Sequence, residues 1–232
     1  MIDDPLAPFR WLCRDDHWWS EIFCVSFLRG VEPAEVVRRF GGTATGRHAE
    51  FDEFEDLVSH FLHTTDGGEG SGHVGAVEVG EWCVAIEPSG WSAVSWEVAS
   101  RLSRDGAELV AISRHDYAED TFLHARDGVV LTTFNPDTPG LRHGDAPHAL
   151  ADLMRAVGLA PDQDLDQGLD EGEGEGNGDG DGDGDGWDAL APVAVLRSFA
   201  LAAKITGVVL EPAHLDGPLY VGAVSDLVRR PV

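Results

Sequence analysis

Apolar positions along the chain fall into two rhythms, one of two residues and one close to 3.6. From Ile22 to Leu28, Ile22, Cys24 and Leu28 alternate with Phe23, Val25 and Phe27, so both faces of the segment are mostly apolar. A strand of that kind belongs at the centre of a sheet covered on both sides. Pro33 suits a first helical turn, and Val36, Val37 and Phe40 predict a short helix stopped at Gly41-Gly42. Phe51, Phe54, Leu57, Val58, Phe61 and Leu62 then mark one stripe of an amphipathic helix, which DGGEGSG at 66–72 ends.

Residues 74–87, VGAVEVGEWCVAIE, predict two strands around Gly80-Glu81, with Trp82, Val84 and Ile86 on one face. After Pro88-Ser89-Gly90, Val94, Val98 and Leu102 predict a helix closing near Gly106, followed by a strand over 107–113. TFLHARDGVVLTTF at 121–134 predicts a hairpin, because Asp127-Gly128 can take the positive φ angles of a two-residue type I′ turn. Beyond the loop NPDTPGLRHG, Asp145 and Pro147 introduce a helix carrying Leu150, Leu153, Met154 and Val157, ended by Gly158. A last helix is predicted over 188–206, with Gly207 as its stop.

Hairpins and isolated helices without regular βαβ alternation predict an α+β fold: a mostly antiparallel sheet of about five to six strands with helices packed on it. The expected organisation is a main domain over 1–160, an acidic Gly/Asp/Glu-rich flexible linker over 161–187, and a C-terminal helix and tail over 188–232 packing back on the same domain. At 43% hydrophobic, the chain is too apolar for wholesale disorder.

Charge narrows the partners. The formal net charge is −26, and residues 161–188 hold twelve acids and no base, so the remainder still carries −14. Such a chain is repelled by phosphate backbones and anionic membranes, which argues against nucleic-acid or lipid binding and leaves a basic protein as the partner its charge would attract. MIDDPLAPFRWLCRDD has no basic segment leading into an apolar one, and no run approaches eighteen apolar residues. The expectation is a cytoplasmic protein with Cys13, Cys24 and Cys83 as reduced thiols.

Five segments taken together, FCVSFLRGVEPAEVVRRFGG (23–42), GEWCVAIEPSGW (80–91), RLSRDG (101–106), FNPDTPGLRHG (134–144) and ITGVVLEPAHLDGP (205–218), resemble a family of small actinobacterial proteins classed as a domain of unknown function. The resemblance implies an intracellular, single-domain α+β protein and brings no activity with it. It also implies that the acidic run is an insertion where the family has a short connection, so the family's function would lie outside it.

Within that run, EGEGEGNGDGDGDGDGWD from Glu171 to Asp188 invites a calcium reading. Counted from Asn177 as position 1, a helix-loop-helix calcium frame places Asp179, Asp181, Asp183, Asp185 and Asp188 at ligand positions. Position 1 is Asn, position 12 is the short Asp188, and Gly184 replaces the usual apolar anchor. A Gly-Asp alternation also meets any odd-position rule trivially, and ordering so glycine-rich a loop costs about 1 kcal/mol or more per residue. The solvated linker is favoured over an acidic docking segment and over calcium, and no cofactor is expected.

Other chemistry finds no assembled motif. Cys13 and His17, and His60 and His63, have spacings that a metal could use but lack a second pair. Ser89 has no nucleophile elbow, DGGEGSG has no phosphate-loop lysine, and Cys24 and Cys83 fall inside predicted strands. No catalytic residue is assigned. Adjacent Trp18 and Trp19 cannot both face one core, so one is expected at a contact surface; Arg142 and His143 lie in a Pro/Gly-rich loop where exposed function is expected. The preferred expectation is a non-catalytic cytoplasmic protein-binding domain, immunity- or antitoxin-like. Its alternative is an enzyme or small-ligand sensor with a pocket near Trp82, Glu87, Trp91 and Arg142.

Overall fold

A computed structural model describes residues 4–13, 22–41, 46–65, 72–115, 120–162 and 193–224. Its strands are β1 (Ile22–Arg29), β2 (Arg47–Ala49), β3 (His73–Val79), β4 (Trp82–Pro88), β5 (Glu108–His115), β6 (Thr121–Arg126), β7 (Val129–Phe134), β8 (Arg142–His143) and β9 (Leu219–Ala223). They form one sheet in the order β2-β9-β3-β4-β1-β5-β6-β7-β8, and every neighbouring pair is antiparallel. The doubly apolar β1 takes the place its sequence demands, at the centre between β4 and β5.

Helices cover both faces. On one, α1 (Pro33–Arg39) and α3 (Trp96–Leu102) bury Val36, Val37, Val98 and Leu102 against Cys24, Leu28, Cys83, Ala85, Ala111 and Leu123. On the other, α4 (Ala151–Ala156), α5 (Val193–Thr206) and a 3-10 turn at Ala7–Cys13 cover Phe23, Val25, Phe27, Ile86, Ile112 and Phe122. α2 (Phe51–Thr64) extends that second layer over β3 and β9 through Phe54 and Val58. The first face carries many small side chains, among them Cys24, Ala76, Cys83, Ala85 and Ala111, and α1 comes close to the backbone there. A Cβ placed on Gly222 of β9 would overlap Val37 Cγ1. Gly222→Ala is therefore expected to destabilise the protein by about 1–3 kcal/mol through overpacking, measured as a lower urea midpoint.

The α+β class and the antiparallel sheet agree with the sequence, but the strand number does not: nine strands form the sheet, not five to six. The additional ones, β2, β8 and β9, lie at or next to the edges; β2 and β8, with three and two residues, are too short to display a period of two, and β9 (LYVGA) is interrupted by Gly222. Helical structure also starts later than Asp145 and Pro147 suggest, at Ala151. The intervening residues continue the sheet edge instead, with Asp145 N–H donating to Val130 O (3.0 Å) and Ala146 N–H to Leu131 O (2.8 Å). The helix expected from Val94 to Leu102 is broken at extended Ser95, whose hydroxyl accepts from Val98 N–H and caps α3. Asp127 and Gly128 both have positive φ, as a type I′ turn requires.

Candidate functional site

Strand parity separates the residues that the sequence grouped together. Trp82 points with Val84 and Ile86 into the α5 side of the sheet and is buried there, whereas Glu87 is buried on the opposite side with Cys24 as its cross-strand partner. Glu87 faces the first backbone donors of the 3-10 turn at Ser92–Val94 and accepts from Ser92 N–H (2.9 Å) and Ala93 N–H (3.0 Å). Burial pushes its carboxyl up. Arg142 sits far off on edge strand β8, donating to the carbonyls of Pro147, Pro139 and Pro161 and contacting His148 Nδ1. It ties a loop together and presents no free guanidinium. Trp82, Glu87, Trp91 and Arg142 therefore do not line a common pocket. Trp18, Trp19 and the calcium frame from Asp179 to Asp188 lie outside the described residues.

The structure brings a different set together, at the corner where β6, β7 and β8 end. Thr121, Thr133 and His143 share the α1–α3 side of the sheet, since Thr133 pairs with His143 and stands beside Leu123 in β6. There lies an open hollow of about 220 Å³, walled by Asp120, the three threonines Thr121, Thr133 and Thr138, Phe134 and Asn135, with Leu141 and His143 at its exposed margin. The loop FNPDTPGLRHG shapes it through turns in which Thr138 N–H donates to Asn135 O and Leu141 N–H to Thr138 O.

Asp120 carries the charge of this hollow. It is 8% exposed, and its Oδ1 accepts from His115 N–H at 2.9 Å. Burial pushes its carboxyl up, with the His115 N–H and the Arg114 charge working against that. His115 in turn meets Trp91 edge-on, with centroids 4.9 Å apart, and Trp91 is 37% exposed. A continuous path thus runs from Trp91 through His115 to Asp120 and the exposed Leu141. Trp91 and His143 were visible in the sequence. Asp120, the threonines and Asn135 were not, although the Pro/Gly-rich loop that follows a strong hairpin pointed to their neighbourhood.

Three other ionisable groups, Cys24, Cys83 and Glu108, have structural employment. Cys24 and Cys83 are buried, and burial pushes the Cys83 thiol up to about 12. Glu108 accepts from Arg126 Nη2 (2.7 Å) and contacts His124 Nε2 (2.8 Å). Burial pulls its carboxyl up, but Arg126 and His124 outweigh that and hold it below the usual range. Glu108 therefore adds stability above the unfolded carboxylate range that is lost as pH falls through its lowered value. Glu108→Gln is expected to flatten the acid limb of a urea-midpoint profile taken from about pH 7 to 3. Among the described residues no group of His, Cys, Asp or Glu is arranged to hold a metal, and no helix is long and apolar enough to cross a membrane.

Fold and site together define an acidic α+β domain with a helix-covered antiparallel sheet and an open hollow at one sheet corner, lined by Asp120, three threonines, Asn135 and His143 beside Phe134 and Leu141. The chain belongs to a family of unknown function, DUF6461, which matches residues 6–227. No curated protein and no solved structure matches it.

Proposed function

We propose that this is a non-catalytic, cytoplasmic protein-binding domain of actinobacterial origin, immunity- or antitoxin-like, that meets a basic protein at the Trp91–Leu141 corner. The observation carrying this reading is the corner itself: an open hollow with exposed Leu141 at its margin and exposed Trp91 nearby, against His115. Exposed tryptophan beside apolar and hydrogen-bonding groups is the composition of interface hot spots. Electrostatics point the same way. Arg29 is paired with Glu81, Arg38 and Arg39 with Glu35, Arg47 with Glu53, Arg126 with Glu108 and Arg155 with Asp162, so much of the positive charge is engaged internally. Across the whole chain 42 acids stand against 16 lysines and arginines, an excess that would attract a basic partner.

Affinity capture on the immobilised full chain tests this reading. A basic protein should be retained at moderate salt by the wild type and weakened by Trp91→Ala at least tenfold, the loss expected of a hot-spot tryptophan at about 1.4 kcal/mol or more. Retention that ignores both Trp91→Ala and added salt, or no retained protein at all, would overturn it.

A further inference from the structure

The corner hollow is specific enough to name what enters it, provided that the protein-binding reading above holds. We propose that it receives one arginine side chain of the partner. Its volume of about 220 Å³ is below the roughly 300–1,000 Å³ of sites that enclose whole small molecules, and suits a single side chain. Its lining is rich in acceptors and contains neither lysine nor arginine. Asp120 Oδ1 is taken by His115 N–H, and among the described residues no group donates to Oδ2. The hydroxyls of Thr121, Thr133 and Thr138 can each accept, and Asn135 Oδ1 already faces a backbone donor, Asp137 N–H, at 2.9 Å.

A guanidinium fits such a lining better than any other side-chain head, because it offers five N–H donors in one plane and no acceptor. Arg114, on the opposite face of β5, is close enough to favour an ionised Asp120 but makes no hydrogen bond to it, and Asp137 at the rim adds negative charge. Among the described residues the buried carboxylate therefore lacks a hydrogen-bonded cation of its own. Leu141 at the margin gives an arginine's methylene stem an apolar surface, so the charged head can reach Asp120 while the stem stays covered.

The test is a titration of the isotope-labelled full chain with N-acetyl-arginine methylamide, followed by amide chemical shifts, with the uncharged citrulline analogue as control. Saturable shifts centred on Thr121, Thr133, Asn135, Thr138 and His143 are expected, with citrulline at least tenfold weaker. Asp120→Asn should weaken the arginine probe at least tenfold. Thr138→Tyr, at an exposed position where folding should tolerate it, should close the mouth and abolish the shifts. Equal binding of citrulline, shifts scattered over the acidic surface, or binding indifferent to Thr138→Tyr would overturn the assignment. The two readings fail separately. A basic partner captured equally by wild type, Asp120→Asn and Thr138→Tyr removes the arginine assignment and leaves protein binding standing. Specific arginine shifts without any captured partner keep the guanidinium site and remove the protein-binding reading.

Discussion

Gly144→Ala is expected to lower the stability of the protein by about 3–5 kcal/mol, combining backbone strain of roughly 1–3 kcal/mol with overpacking of similar size. Gly144 has a φ of +116°, beyond the left-handed region that other residues enter at modest cost. A Cβ built there would overlap the Leu131 carbonyl and stand 3.0 Å from Val130 O. Those atoms belong to the backbone of β7 and cannot rotate aside as a flexible side chain would. The consequence reaches the site, because Gly144 links His143, paired with Thr133, to the Asp145 and Ala146 N–H groups that bond the outer edge of β7. Urea denaturation should show the midpoint falling at constant slope. Folded protein near neutral pH should lose the amide shifts of Thr133 and His143 while those of β1 and β4 stay in place. An unchanged midpoint would mean that the edge connection relaxes at no cost and does not hold the hollow in shape.

The sequence was most legible where burial is two-sided. β1 and the hairpins β3–β4 and β6–β7 show either apolar residues on both faces or an unmistakable turn, and each lies where its pattern places it. The edges were not legible: β8 is made by Arg142 and His143 alone, and its existence follows from the register with which the returning loop meets Thr133 and Phe134. Part of the site was available in principle. Trp82 and Glu87 are an odd number of residues apart in one strand, so the alternation that identified the strand already sends them to opposite faces. The same count parts Arg142 from His143. Asp120 is different in kind: its carboxylate accepts from His115 N–H only five residues back, between the end of β5 and the start of β6, a local closure that leaves no periodic pattern of apolar residues to read.

Glu87→Ala is expected to cost about 3–5 kcal/mol, more than a surface carboxylate could, because of what it leaves behind. Glu87 is 1% exposed, and its two oxygens answer the N–H groups of Ser92 and Ala93. Ala93 is itself buried and Ser92 partly so, so an alanine at 87 leaves both donors without the carboxylate, at about 1–3 kcal/mol for each and most for Ala93, on top of the cavity it opens. Glu87→Gln keeps one acceptor but turns an NH₂ toward the other donor, and should fall between wild type and Glu87→Ala. The pH dependence separates the roles of shape and charge. Burial raises the Glu87 carboxyl above its unfolded value, so the native state holds the proton more tightly. Its contribution to stability is then fully present below the unfolded carboxylate range and is lost as pH rises through the raised value. Glu87→Gln, which does not titrate, should lose that slope, whereas Glu108→Gln loses the opposite one. The turn that Glu87 holds begins immediately after Trp91, so loosening it frees the tryptophan from its edge-on contact with His115. Weaker partner capture by a folded Glu87→Gln, with Trp91 itself untouched, would show that the corner binds as a preorganised surface. Wild-type capture by that variant would show that the Glu87 clamp serves stability alone.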